Sequence, residues 1–160
     1  MTPPVDPDDL DTGTLALFVG SAAASSVQER IAADGFTGLR TSHGYLFQHL
    51  LGAAPTIRDL AAALEMTQQG ASKAVAELEA LGYAERRPDP HDARVRRVAL
   101  TPRGHEAVDA ARRARTELEE RLRECLGDRG LDTARALLRE LLDELGGTEA
   151  VRRRRVRPPR

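Results

Sequence analysis

Between Thr67 and Lys73 the chain reads Thr-Gln-Gln-Gly-Ala-Ser-Lys, a run of hydroxyl, carboxamide and ammonium groups with no carboxylate among them. Groups of this kind hydrogen-bond to base edges and phosphates. Glutamine can contact adenine through two bonds, lysine donates to guanine or to phosphate, and serine is permissive. Further along, Arg86, Arg87, Arg94, Arg96, Arg97 and Arg103 outnumber Asp89 and Asp92, which makes a local basic patch. The chemistry on offer is attraction to a polyanion rather than bond making. No Gly-x-Ser-x-Gly elbow and no glycine-rich phosphate loop before a lysine occurs, so an enzyme is not expected. His43 and His49 lie six apart and His91 and His105 are remote, which is not the spacing of a helical zinc site. No metal and no cofactor are expected.

These polar residues need elements to hold them. Thr56, followed three residues on by Asp59, reads as a capping box that opens a short helix through Leu60, Ala61 and Leu64. Glu65 and Met66 form a tight link, and Thr67 caps the next helix. Its apolar residues Ala71, Ala74, Val75, Leu78 and Leu81 fall on one side, which turns Gln69, Lys73 and Ala76 outward with Gln68 and Ser72 flanking. Gly82 stops it. Tyr83 to Arg87 then reads as a strand, Pro88 to Ala93 as a turn and Arg94 to Leu100 as the returning strand. The fold class expected is mainly α with a small β-hairpin wing: a winged helix-turn-helix over 56–101, with helices on either side.

Upstream, Leu15, Phe18, Val19, Ala22, Val27 and Ile31 make a helical stripe ended by Gly35, and a second helix is expected from near Thr37 through Leu39, His43, Leu46 and Leu50 to Gly52. Downstream, Thr101 and Pro102 restart a long helix in which Ala107, Ala111, Ala114, Leu118, Leu122 and Cys125 recur. Asp132 is read as the cap of a final helix whose stripe is Leu137, Leu138, Leu141, Leu142 and Leu145, up to Gly146. A stripe so rich in leucine must be covered, and the small winged module does not suffice for two such helices. Homodimerisation through Leu15, Phe18, Leu118, Leu122 and the five late leucines is therefore expected. The alternative is packing within one monomer. Glu117 and Arg121 are spaced for an ion pair within the helix, a contribution of about 0.3 to 0.5 kcal/mol.

The organisation expected is an acidic, flexible N-terminal tail over 1–12, linking helices over 13–55, the winged unit over 56–101, helices over 102–147, and a flexible basic tail over 148–160 with Arg152 to Arg155, Arg157 and Arg160. With 41% hydrophobic residues, 31% charged and one cysteine, the 160-residue chain can bury a core without disulfides. No signal peptide or membrane span is evident, so a cytoplasmic protein without membrane contact is expected. The net charge of -1 disfavours nucleic-acid binding on the total alone, but the distribution of charge matters more than its sum.

Four segments in this order and spacing resemble the MarR family of bacterial regulators: Leu60-Ala61-Ala62-Ala63-Leu64-Glu65-Met66-Thr67, Leu78-Glu79-Ala80-Leu81-Gly82-Tyr83, Asp89-Pro90-His91-Asp92-Ala93-Arg94 and Leu100-Thr101-Pro102-Arg103-Gly104. The resemblance covers about Leu15 to Gly146. It implies a triangular dimer whose terminal helices intertwine and whose winged modules face successive major grooves of pseudo-palindromic double-stranded DNA. It also implies a repressor released by a small aromatic or phenolic effector, or by oxidants. By the same resemblance Arg94 takes the place of the arginine that enters the minor groove, with Asp92 as the carboxylate that holds it. Thr56 and Arg58 are expected on the DNA backbone; Thr67, Gln68, Gln69, Ser72 and Lys73 at the bases or nearby phosphates; Arg86, Arg87, Arg96 and Arg97 on phosphates. His43 and Tyr45 are candidates for an effector pocket. The alternatives are a transcriptional activator, a redox sensor built on Cys125, and a winged helix used for protein contact without operator binding; for Cys125, Glu124 opposes the cationic setting a thiolate needs.

Overall fold

The structure, a computed structural model, describes residues 6–152. Asp11 opens the first long element: its carboxylate accepts the Thr14 amide at 2.9 Å and the Thr14 hydroxyl at 2.6 Å, capping α1 (Thr12–Ala33). The segment expected to be a loose tail thus ends in a cap, and a 3-10 turn covers Pro7–Asp9 just before it. Of the stripe on α1, Val27 and Ile31 are buried, packed on Ala110 and Ala114. The stripe therefore seats its C-terminal half alone.

α2 (Thr41–Leu50) starts later than the sequence suggests. Gly38 takes a left-handed φ of 76° and the Thr37 carbonyl accepts the Tyr83 hydroxyl at 2.9 Å, so residues 37–40 are spent on tying the chain to the module rather than on a first turn. α3 (Ile57–Ala63) begins with the capping box expected of Thr56 and Asp59, and α4 (Gln68–Ala80) with Thr67, whose hydroxyl accepts the Gly70 amide at 3.0 Å. Between these helices Glu65 turns the chain at a φ of 50°.

β1 (Ala84–Pro88) and β2 (Arg96–Leu100) pair antiparallel, from Ala84 opposite Leu100 to Pro88 opposite Arg96. The returning strand thus starts two residues later than expected, which leaves Arg94 in the turn. The Val98 amide donates to the Pro55 carbonyl at 2.8 Å and Thr56 bridges Arg97, so the loop before α3 extends the edge of the hairpin.

The core of the module gathers Leu46, Leu50, Leu60, Val75, Leu78, Tyr83 and Val98, with Phe47 meeting Tyr83 edge to face at 6.4 Å. At roughly 1.5 to 3 kcal/mol for each large apolar side chain fully buried, these residues dominate the stability of the unit. α5 (Pro102–Glu144) seals it from below: Gly104 lies so close to Tyr83 that a Cβ there would sit 2.1 Å from the Tyr83 carbonyl oxygen.

α5 is broken at Gly127, whose φ of 69° and ψ of 164° leave the helical region. The distal part starts there rather than at Asp132, which lies inside the helix. Arg135 pairs with Glu119, residues that would be roughly 24 Å apart along an unbroken helix, so the distal part folds back. Glu117 pairs with Arg30 at 3.1 Å and Arg121 donates to Ser26 at 2.7 Å, so the expected Glu117 to Arg121 pair is replaced by contacts to α1. A short helix α6 covers Thr148–Arg152, within the expected basic tail; Arg153 to Arg155, Arg157 and Arg160 lie outside the described residues. Among the described residues no helix is long and apolar enough to cross a membrane.

Candidate nucleic-acid interface

The cap on α4 satisfies one amide and leaves the others of the first turn open, where the helix dipole adds partial positive charge. Gln68, Gln69 and Lys73 are exposed around this end and Ser72 is half-buried beside them. Arg58 is exposed on α3, while Thr56 is engaged with Asp59. Of the helix-turn-helix residues expected to face a ligand, Arg58, Thr67, Gln68, Gln69 and Lys73 are thus exposed, and Thr56 and Ser72 are half-buried.

The wing divides its arginines. Asp89, buried at the base of the turn, accepts the His91 amide at 2.7 Å and the Asp92 amide at 3.2 Å, and its other oxygen pairs with Arg97. The His91 amide, followed by the Arg97 guanidinium, holds this carboxyl below the usual carboxylate range. Arg97 also donates to the Ala54 carbonyl at 2.9 Å, locking the wing to the loop before α3. Arg97, expected on phosphate, is thus engaged within the protein and latches the wing.

Arg86 is likewise occupied, reaching the Ser72 carbonyl at 3.2 Å, the Ser72 hydroxyl at 3.3 Å and the Glu79 carboxylate at 3.4 Å. Arg87 pairs with Glu85. By contrast Arg58, Lys73, Arg94 and Arg96 are exposed and have no ion pair among the described residues. Asp92 acts on Arg94 through the main chain: its carboxylate accepts the Arg94 amide at 2.9 Å, which shapes the turn and leaves the guanidinium outward. The contact expected between Asp92 and this arginine is thus made at its backbone amide.

His43 and Tyr45 border one cleft, of about 510 Å³, between α2 and the start of α4, together with Leu46, Met66 and Ala74. His43 is buried; its Nδ1 accepts the Arg40 amide at 3.2 Å and its Nε2 lies 3.4 Å from a Glu77 carboxylate oxygen. Burial, with the nearby Arg40 charge adding to it, pushes the imidazole below its ordinary value. A second cleft, of about 560 Å³, opens between α1, α2 and α5, walled by Val27, Ile31, Phe47 and Val108 and edged by Arg40 and Arg115. Arg40 borders both. Cys125 is exposed beside the bend in α5, and the arginines near it are committed elsewhere: Arg121 to Ser26 and Arg123 to Asp128, each at 2.7 Å.

Sequence reasoning missed Arg40, Glu77 and the role of Asp89. For Asp89 the hairpin register was the available signal, because it follows Pro88, which stands opposite Arg96 beside Arg97. Arg40 and Glu77 carry no local signal, since their pairing depends on how α2 packs on α4.

Residues 37–95 match the family model described as the MarR family. No curated protein sequence matches the chain. Among solved structures, a mutant of S. aureus MepR is similar with a TM-score of 0.68 and 20% identity, over 85% of this chain and 99% of that one. An S. aureus MepR–DNA complex gives a TM-score of 0.65 at 22% identity, over 84% and 97% of the two chains. The apo form of wild-type MarR from E. coli gives 0.61 at 20% identity, over 83% and 98%. At these identities the likeness establishes a shared fold.

Proposed function

We propose that the protein, whose residues 37–95 match the MarR family model and whose fold is shared with solved MarR-type structures, is a homodimeric regulator that binds pseudo-palindromic double-stranded DNA. The observation that carries this reading is the division of the basic residues. Lys73, Arg58, Arg94 and Arg96 stay exposed and unpaired among the described residues, while Arg86 and Arg97 are consumed in holding the module together. Leaving cations without partners on a surface otherwise laced with ion pairs is what an interface for phosphates requires.

In this reading Gln68, Gln69 and Lys73 enter the major groove at the open end of α4, and Arg94 reaches the minor groove, where a narrow groove concentrates negative potential. Thr67 and Arg58 with Arg96 lie on the backbone. Dimerisation uses the exposed leucines of α1 and distal α5, which sets two modules on half-sites about one helical turn apart. An apolar effector with a polar group, of aromatic or phenolic type, fits the clefts beside α2, and its binding releases a repressor from DNA. The MepR–DNA complex among the similar structures supports the DNA side of this reading.

The test is selection of a duplex from a randomised library, followed by titration at several salt concentrations. A selected duplex is expected, with log affinity falling against log salt by about 0.9 for each phosphate neutralised. No selected duplex, or an affinity indifferent to salt, overturns the reading.

A further inference from the structure

α4 is gripped on both flanks of its outward face. Turning about 100° for each residue, the helix sends Gln69, Lys73 and Ala76 outward, Ser72 and Glu79 toward the wing, and Glu77 toward α2. On the wing flank Arg86 holds the Ser72 carbonyl at 3.2 Å and the Glu79 carboxylate at 3.4 Å. On the opposite flank the Arg40 guanidinium pairs with the Glu77 carboxylate, and the same Glu77 oxygen lies 3.4 Å from His43 Nε2. The Arg40 amide donates to His43 Nδ1, so in the neutral ring the proton sits on Nε2 and is offered to Glu77.

We propose that Arg40 and Glu77 are positioning residues for DNA binding, which with Arg86 and Glu79 on the far side fix the roll of the recognition helix about its axis. The inference rests on the DNA-binding reading above. Its physical basis is leverage. Side-chain tips lie about 5 to 6 Å from a helix axis, so a roll of about 20° carries them about 2 Å, more than a hydrogen bond tolerates. Over its first two turns, beside the outward residues Gln69 and Lys73, the apolar face of α4 is built on Ala71, Ala74 and Val75, with Leu78 the one large buried side chain further along, so the ion pairs add to the grip where that face is smallest. Two opposed ion pairs resist it in both directions. Since Arg40 also borders both clefts beside α2, a displacement of its guanidinium from either cleft reaches α4 through Glu77.

The roles of field and position separate by charge. Glu77→Ala removes a negative charge next to the DNA-facing surface, so electrostatics alone would tighten binding; loss of position weakens it. With a duplex selected by the parent protein, Glu77→Ala and Arg40→Ala are each expected to weaken binding about tenfold, and the double variant no more than either single one. Arg40→Lys, which keeps a cationic donor, is expected to recover most of the loss. Thermal midpoints serve as the control for folding, and amide 1H–15N shifts of Gln69, Lys73 and Ala76 in the DNA-free protein are expected to move in Glu77→Ala. Equal or tighter binding by Glu77→Ala, additive losses in the double variant, or unmoved amide shifts overturn the proposal while leaving DNA binding intact. A parent that selects no duplex overturns the DNA-binding reading and this proposal with it.

Discussion

The winged module and the outer helices put their large apolar side chains to opposite ends. Leu60, Leu78, Val75 and Val98 are at 0% exposure in the module, whereas Phe18 on α1 and Leu137 on distal α5 remain 57% and 55% exposed. One region closes its core with its own residues. The other presents Leu15, Leu17, Phe18, Leu137, Leu138, Leu141 and Leu145 as an exposed apolar surface. A surface of that kind is stable in water when a partner covers it. The contrast teaches that the module closes its own core, while the arms leave an apolar surface that the proposed dimer would cover.

The largest effect is expected from breaking the closed region at its tightest contact. Gly104→Ala places a Cβ against the Tyr83 carbonyl oxygen, a backbone atom that cannot step aside, and should cost about 3 kcal/mol in urea unfolding of the whole module. An unchanged midpoint would mean that α5 does not pack on the hairpin as described.

Next comes the open region. Leu141→Asp introduces a charge into the uncovered stripe and is expected to convert a dimer into a monomer in sedimentation, while the module keeps its unfolding midpoint once concentration is accounted for. A mutant of unchanged mass would place the interface elsewhere. The converse failure, loss of the module on losing the dimer, would erase the distinction between the two regions.

Arg94→Ala probes the outward face of the closed unit. Because its guanidinium contacts nothing charged among the described residues, the fold should be indifferent to its removal, whereas affinity for a selected duplex should fall about tenfold to a hundredfold. Superimposable titrations of mutant and parent would remove the wing from the interface.

The smallest effect concerns protons. The buried His43 imidazole titrates below the value near 6.5 of a free one, so between that value and its own the unfolded chain binds the proton that the folded chain refuses. Stability should therefore fall as pH is lowered from about 6.5 and be flat with respect to this group above it. Urea midpoints across that range should show the slope, and His43→Gln should reduce it. The carboxyls of Asp59 and Asp89, held low first by the Thr56 amide and the His91 amide respectively, act in a separate window: their contribution is lost as pH falls below about 3.8.

What the residues revealed in advance was local. Thr56 with Asp59, Thr67 with Gly70, and Thr101 before Pro102 mark helix starts through bonds spanning three residues, so the order of helices and the hairpin could be read directly. The bend at Gly127 was missed because Asp132 offered a competing signal for a helix start, and a glycine within an apolar periodicity does not announce which backbone region it takes. The exposed leucines were legible as a stripe. The choice between a self-packed monomer and an uncovered face was not.

The allocation of arginines belonged to the tertiary structure. In sequence Arg86, Arg94, Arg96 and Arg97 are one basic cluster, and charge alone assigns them one role. Folding gives Arg97 to Asp89 and to Ala54, 43 residues away, gives Arg86 to α4, and leaves Arg94 and Arg96 to the solvent. Composition and periodicity thus determined that a winged helix with a cationic surface would form. Only the packing of distant segments decided which cations remain free to bind, because an ion pair needs two groups within a few ångströms and sequence spacing does not report that distance.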